Sequence, residues 1–556
     1  MENKNPYIKQ LGNRLKITKT GRDYLDQIVT DSTGQVYAFY GRASPLMVAA
    51  AMARLSRRGS DLRETFLDEF AMTGDTDASG LIHRVVTAYG DDSVQQLAGM
   101  HIVVESASNI LTKLLEWGRF GAYLEQSTRY IFLDEKDKDG NYRYFVPENL
   151  NSKIKTKYKK TNDIIFSLYS EMVRELTEYV RKKNPPPDNE KEQIAWRGAT
   201  KAQACDAVRP VLPVSAKLTV GIFGSAQAIE SLILHLLAEP LLEAQTTGQK
   251  ILEEARKVMP AFLERADKPD RGGATTAYRA TTRDTIKARS NKTLPKISKN
   301  KKTSIKLLDY WPKNELDIIP QLLFATSNLS TDEISAQIKK LSTRQKKEIF
   351  KEYVGVRLNR RHRPGRALEI PHYLWEVTAD YGTFRDLQRH RVIDALEWQK
   401  LSTTYGYDIP NLIKEAGLQK KYQRCFELAE RLHEHMQDAG YQEEAQYTTL
   451  LGHKMRYRFM LNARAAFHFL ELRTSPQGHP GYRYICNEMY RQLRRVHPSI
   501  GRAMKFVNKD EDPELTRMAA ELATQYKLEK LDKLSASRGP SRASRGQSLQ
   551  NLQKDK

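Results

Sequence analysis

Apolar positions along the chain fall into helical and strand-like spacings that occur in matched pairs. Pro45 to Leu55 is an alanine-rich helical run with a partner at Ile318 to Ser327, and Tyr40 and Tyr310 precede them in matching places. Ile102-Val103-Val104 and Tyr373 to Val377 carry the β-branched and aromatic residues of strands. Gly80 to Ala98 reads as helical. So does Asn162 to Lys183, which Pro185-Pro186-Pro187 ends because consecutive prolines cannot continue a helix. Ala204 to Leu263 predicts further helices. Asn462 to Arg473 has helical spacing, with Ala463, Phe467 and Leu470 on an apolar stripe and Asn462, Arg464 and His468 on an adjacent face. The charged segment Asp134 to Lys160 predicts a surface hairpin or loop, Gln35 to Tyr40 a strand, and Asp510 to Lys533 an amphipathic helix.

The pairing is an internal repeat. Trp117 to Tyr130 lies over Arg389 to Ser402 without a gap, placing Arg119 on Arg391, Leu124 on Leu396 and Glu125 on Glu397, 272 positions apart (391 − 119). Gly224 to His235, with Val258-Met259-Pro260, lies over Asn462 to Arg473 with Val496-His497-Pro498, 238 apart (498 − 260). Two diverged copies of one domain follow from this. The expected organisation is an N-terminal extension at residues 1–40, a first copy at 41–266, a basic linker at 267–306 and a second copy at 307–508. A helix at 509–534 and a disordered basic tail at 535–556 complete it.

Composition narrows the class. A chain of 556 residues is long enough for two to four domains, each with its own core. The net charge of +22 predicts anionic partners: nucleotides, a phosphorylated cofactor, nucleic acid or an acidic surface. Cys205, Cys425 and Cys486 are too far apart for a metal site or a disulfide framework, which suits a reducing cytoplasm. The N-terminus lacks the apolar core of a signal peptide, and no uncharged apolar run approaches a membrane span. Residues 267–306 carry twelve Lys or Arg against three Asp and no apolar stripe, a composition that predicts a flexible connector. That linker and the tail are candidates for weak nucleic-acid contact.

The chemistry concentrates after Glu376. An apolar, β-branched lead-in runs into a helix-like segment that ends in Arg389-His390-Arg391. Two guanidinium forks and an imidazole in succession suit phosphate or the oxygen-rich edge of a planar heterocycle. With Glu397 after the triplet, and Asn462, Arg464 and Leu472-Arg473 on the later helix, the chain resembles the flavin-dependent thymidylate synthases. The resemblance covers about Tyr40 to Leu263 and about Tyr310 to Asn508. It implies an α+β fold of two homologous domains, each a mixed or antiparallel sheet flanked by long helices. In that family FAD lies between the subunits of a tetramer and NADPH reduces it. Methylenetetrahydrofolate gives its carbon to dUMP, and no cysteine nucleophile is needed.

Carried over residue by residue, the resemblance gives the second copy the flavin side. Arg389, His390 and Arg391 match the triplet, Asn462 and Arg464 the later helix with His468 beside them, Glu369 the upstream glutamate, and His362 the upstream histidine. Arg473 matches the arginine that addresses the nucleotide base. Gln399, Leu401 and Ser402 depart from the nucleotide loop, where only Glu397 is kept. The first copy is the complement: Glu125, Gln126, Ser127, Arg129 and Tyr130 keep that loop and Arg209 matches a second arginine around dUMP. Trp117 and Gly118 replace Arg and His, and His235 replaces the base-side arginine. The resemblance therefore implies a composite site, with catalytic roles for Arg473, Arg129 and Ser127, and a homodimer rebuilding the tetramer. The alternative is a catalytically inactive homologue that binds flavin, or nucleic acid through its basic segments.

Overall fold

Two antiparallel sheets, one from each copy, form the frame of the computed structural model. It describes residues 5–11, 14–55, 57–83, 92–129, 131–294, 302–390, 392–509, 518–519, 522–528 and 530. The chain opens with a hairpin of β1 (Ile8–Leu11) and β2 (Arg14–Ile17) and a helix, Lys19–Ile28. The first sheet has the order β3-β5-β4, from β3 (Gly99–Ser108), β4 (Ala122–Glu125) and β5 (Lys217–Ser225). The second has the order β6-β7-β9-β8, from β6 (Ser304–Trp311), β7 (His372–Asp380), β8 (Ala395–Trp398) and β9 (Lys454–Asn462). Helices cover the inner faces, so the α+β class holds. Strand parity sets those faces: Leu218, Val220 and Ile222 of β5 and Met455, Tyr457, Phe459 and Leu461 of β9 are buried, while Arg458 is exposed.

The copies match at offsets one residue away from those expected. β4 and β8 begin 273 apart (395 − 122), and β5 and β9 coincide end to end at 237 (454 − 217). The offset of 238 does hold for the helices Leu242–Val258 and Pro480–Val496 (480 − 242). In the ladders Glu125 pairs with Val220 and Trp398 with Tyr457, so Trp398, not Glu397, is the counterpart of Glu125. A slip of one residue turns a side chain to the other face of a sheet. Glu397 accordingly points outward, 2.6 Å from Arg458, whereas Glu125 is buried.

The copies meet on a local twofold axis. Pro213 bridges Leu450, its own counterpart at 237 (450 − 213). The flanking hydrogen bonds are reciprocal: Val214 N–H donates to Thr449 O and Leu451 N–H to Leu212 O, both at 2.9 Å. Such exchange is the mark of an isologous contact. Gly452 is required here, because a Cβ would lie 2.8 Å from both Pro210 and Phe426. Across the same junction the buried Arg385 of the second copy donates to Glu125 of the first at 2.6 Å, and Lys113 reaches Glu125 at 3.2 Å and also Glu116.

Several expectations are corrected. Residues 267–306 are not a flexible connector throughout: Gly272–Thr293 is a helix whose Arg283 donates to Ala238 O and whose Lys287 pairs with Glu443 at 2.9 Å. Tertiary anchoring supplies what its composition lacks. Asp134 to Lys160 is a loop only as far as Asn151, the N-cap of a helix spanning Ser152–Lys183. Ala204 to Leu263 includes a strand, β5, besides helices. Gln35 to Tyr40 contributes a single bridge, Val29 to Phe39, rather than a strand. The tail at 535–556 and residues 510–517 of the expected helix lie outside the described residues. Among the described residues no helix is long and apolar enough to cross a membrane.

Arg385 tests the junction. Arg385→Ala leaves Glu125 buried and short of a partner, and calorimetry should show a loss of about 3–5 kcal/mol. The double change Arg385→Met with Glu125→Leu should recover most of it, since an apolar pair of similar volume replaces the ion pair.

Candidate functional site

Residues of both copies, as far apart in the sequence as Arg119 and Arg473, converge on one cavity of about 790 Å³. Glu369, Arg389, His390, Asn462, Arg464, His468 and Arg473 of the second copy line it, and Arg119 and Phe120 of the first copy close one side. Local structure places each of them. Asn462 ends β9 and N-caps the next helix, Ala463–Arg473, by accepting from Ala465 N–H at 2.8 Å. That helix sends Arg464 and His468, one turn apart, to the cavity, and Arg473, its last residue, lines it as well. Arg389 and His390 follow the helix Tyr381–Gln388, whose N-cap, Asp380, ends β7.

The set is tied together by hydrogen bonds. Arg464 Nη1 lies 3.0 Å from Glu369 Oε1 and its Nε donates to Pro364 O at 2.9 Å. Asp394 accepts from Asn462 N–H at 2.6 Å, and its carbonyl accepts from Arg119 Nη2 at 2.8 Å. Arg473 Nε donates to His390 Nε2 at 2.6 Å, which fixes the remaining imidazole proton on Nδ1. Burial first, then Arg473, His468 and Arg389, hold His390 well below its usual pKa, so it is neutral. His468 is lowered by burial and by Arg363 and Arg360.

The nucleotide-side residues lie next to this cavity but largely outside it. Arg129 makes a two-pronged pair with Asp206, at 2.8 and 2.6 Å, and lines a separate cavity of about 570 Å³. Ser127 Oγ accepts from Arg129 N–H at 3.2 Å, and Gln126 accepts from Arg143 at 3.4 Å. Glu125 is spent on Arg385 and Lys113. Arg209 is buried against Asp386 at 3.1 Å. Asp386 is where the halves meet. Burial pushes its carboxyl up, yet Arg209, Arg389, Arg129 and Arg473 together hold it well below the usual range. Two of those arginines come from each copy.

Of the remaining candidates, His362 is exposed and does not line the 790 Å³ cavity; its carbonyl accepts from Arg357 Nε at 2.6 Å, and its neighbour Arg363 takes the lining position. Arg391 and Tyr130 lie outside the described residues. Asp386, Asp394, Arg119 and Phe120 were not singled out. Asp386 has a signal in the sequence: an acid one helical turn before Arg389 can only face the same way as it does.

The first copy shows the same frame with other chemistry. Where Glu369 pairs with Arg464, Gln96 Nε2 donates to Gln227 Oε1 at 2.9 Å, at the strand offsets of 273 (369 − 96) and 237 (464 − 227). Trp117 stacks on His235 with centroids 4.3 Å apart. Gly118 leaves no room for a side chain unless Tyr123 turns away, because a Cβ would lie 2.6 Å from Tyr123 Oη. That phenol fills the space opposite which the second copy keeps His390.

Comparison with known proteins agrees with the repeat. A family model described as thymidylate synthase complementing protein, Thy1, matches residues 42–261 and 306–499. A UPF0159 protein of Chlamydia pneumoniae is 31% identical over 532 residues, covering 92% of this chain and 99% of the relative. A UPF0159 protein of Thermoplasma acidophilum is 28% identical over 503 residues, covering 86% and 98%. A flavin-dependent thymidylate synthase of Pyrococcus furiosus is 28% identical over 108 residues, 19% of this chain and 43% of that one. Among solved structures, a UMP/dUMP methylase, PolB, from Streptomyces cacaoi bound with 5-Br dUMP aligns at 17% identity with a TM-score of 0.31, covering 38% of this chain and 99% of that one.

His235 gives a pH test. Burial, then Arg279, pushes it down to about 4, so the folded chain keeps it neutral where the unfolded chain protonates it. Its contribution is full above about pH 6.5 and is lost as pH falls towards 4, to the extent of about 3 kcal/mol. Denaturant titrations of His235→Leu should therefore show a smaller loss of stability across that interval than the parent shows.

Proposed function

The chain belongs to the Thy1 family of thymidylate synthase complementing proteins, the flavin-dependent thymidylate synthases, carried as two diverged copies; from that premise we propose an FAD-dependent, thymidylate synthase-like enzyme with one composite site. The reading is methylation of dUMP to dTMP, with methylenetetrahydrofolate and NADPH as co-substrates. One observation carries it: Arg389 and His390, Glu369 and the later helix, distant in sequence, line a single cavity together with Arg119 and Phe120 of the other copy. At about 790 Å³ it lies within the range of cofactor pockets. Its donors are Arg119, Arg363, Arg389, Arg464 and Arg473, a set suited to a pyrophosphate and an electron-rich ring edge.

Arg389, His390, Asn462, Arg464 and His468 would hold the flavin, with Glu369 orienting Arg464 and with Arg391 and His362 as further candidates. A bound flavin supplies hydride-transfer chemistry. Arg473, held by His390, would set positive charge beside a uracil carbonyl where electrons accumulate. Neutral His390 offers Nδ1–H as a hydrogen-bond donor without adding charge. Ser127, Arg129, Arg209, Glu125 and Gln126 would form the nucleotide side. No thiol takes part: all three cysteines are buried, and burial pushes Cys205 and Cys425 up to about 12. We extend the reading to a homodimer that rebuilds a tetramer-like arrangement in a reducing cytoplasm.

A second reading has an observation in its favour. Arg129 and Arg209, the arginines assigned to the nucleotide, already hold Asp206 and Asp386. That suits a homologue that binds flavin without turning over dUMP.

The purified chain should be yellow. Arg389→Ala and Arg464→Ala should each weaken flavin binding at least tenfold, about 1.4 kcal/mol, by equilibrium dialysis. A colourless parent that both variants match would remove the flavin reading. Rescue of a thymidine-requiring strain separates the two readings: rescue supports turnover, and a yellow protein without rescue supports the second.

A further inference from the structure

Positive charge is not spread evenly along the chain. Residues 339–366 carry eleven Lys or Arg against two Glu. Residues 66–93, which lie 273 positions earlier in the first copy (339 − 66), carry one Arg against six Asp or Glu. One part of the fold is thus basic in one copy and acidic in the other, so the fold itself does not demand the charge.

The basic stretch forms one surface that ends at the 790 Å³ cavity. The helix Thr343–Val354 sets Arg344, Lys347 and Lys351 on an exposed face, one turn apart. Tyr353 joins this helix to the loop after it, its Oη accepting from Ala367 N–H at 3.0 Å. Buried Arg357 holds that loop in shape, with Nε donating to His362 O and Nη2 against Glu471, both at 2.6 Å. The loop turns outward Val356, 82% exposed, and Leu358, 75% exposed, beside exposed Arg360 and Arg361. Arg363 then lines the cavity, where it and Arg360 act on His468.

These cations are free in a way that those inside are not. Arg129 holds Asp206, and Arg209 and Arg389 hold Asp386. Lys347, Lys351, Arg360, Arg361 and Arg363 have no carboxylate partner among the described residues. From Arg344 to Lys351 the helix rises about 10 Å, and the loop carries the charge on to the cavity. That run exceeds the single phosphate of a mononucleotide and suits a backbone of successive phosphates.

We propose that residues 339–366 dock single-stranded RNA and that the chain takes its uracil from within that polymer. The inference rests on the uracil reading of the cavity given above. Uracil in a polynucleotide is a base of RNA, and only an unpaired base is free to leave the strand for a cavity. Phosphates meet the lysines and arginines, while Val356 and Leu358 offer apolar surface to the neighbouring unstacked bases. An acidic protein would match the charge but would leave the cavity end of the surface unused.

The experiment follows the fluorescence anisotropy of a labelled oligouridylate of about twelve residues on titration with the full chain. Binding should saturate, and should weaken at least tenfold between about 50 and 200 mM salt. Oligoadenylate of the same length should bind at least tenfold more weakly. Lys347→Gln with Lys351→Gln, both exposed and outside the cavity, should cost oligouridylate at least tenfold in affinity. Flavin content and melting temperature should stay those of the parent. Arg360→Gln with Arg361→Gln should weaken the RNA to a similar degree. The proposal is overturned if binding does not saturate, if neither pair of changes weakens it, or if oligoadenylate binds as tightly. Polyglutamate of equal charge binding as tightly also overturns it and assigns the surface to an acidic protein. A yellow protein that ignores oligouridylate removes this inference alone; a colourless one that prefers oligouridylate removes the flavin reading alone.

Discussion

The bridge between Pro213 and Leu450 is the constraint from which the arrangement follows. Each residue is the counterpart of the other, so the two copies are locked in one relative orientation by four backbone groups that exchange hydrogen bonds in pairs. Everything chemical lies within reach of that axis. Tyr381 Oη donates to Asn109 O, its own counterpart at 272, at 2.8 Å, and brings together the helices that carry Lys113 and Arg385. A buried chain of charges then runs from Glu116 through Lys113 and Glu125 to Arg385. Such a chain adds little net stability against an apolar core, but it tolerates no rotation of one copy against the other, since any slip strands a charge.

A fixed frame lets the copies diverge without losing their fold. The pair Glu369–Arg464 and the pair Gln96–Gln227 occupy the same place, one charged and one neutral, and both satisfy the same helix-to-loop contact. The contact is structural in both copies; its charge is kept in one. Trp117, Gly118 and Tyr123 act together in the same way. With the Tyr123 phenol in the space above the turn, position 118 favours glycine, and a histidine like that of the second copy would have to displace the phenol. Loss of one half of a motif is therefore a packing event as well as a chemical one.

The repeat and the residues of the larger cavity were legible in the sequence because they rest on chemical identity: Arg, His, Asn and Glu at fixed separations. The register was not. Aligning Glu125 with Glu397 honours residue type, but the ladders set Glu125 opposite Val220 and Trp398 opposite Tyr457. Letters that match along a sequence can lie on opposite faces of a strand, and only cross-strand pairing resolves the difference. The strand β5 was missed because Leu218, Val220 and Ile222 alternate with small or polar residues inside a stretch dominated by helices. The helix Gly272–Thr293 was missed because what holds it, contacts from Arg283 and Lys287 to other parts of the fold, leaves no apolar stripe. His362 illustrates a further limit. The loop that carries it is pinned by Arg357 against Glu471 at 2.6 Å, and the register of that loop points Arg363 into the cavity instead.

Asp386 shows why neither copy could hold this centre alone. Arg129 and Arg209 arrive from the first copy and Arg389 and Arg473 from the second, and all four act on one fully buried carboxylate. Four guanidinium groups so close repel one another strongly in a medium of low dielectric, and buried Asp386, with Asp206 beside Arg129, is what permits the approach. At the twofold-related position Leu114 stands for Asp386 (386 − 114 gives 272) and Trp117 for Arg389, so that junction is apolar and aromatic. A local twofold offers two equivalent sites, and the chain has made one cationic and the other hydrophobic. With Arg129 further matched by Asp206, the cationic junction still carries more guanidinium than carboxylate. That surplus, spread over residues from both copies and fixed by backbone pairing at the axis, is the property by which the centre draws an anion towards the cavity wall where Arg389 and Arg473 stand.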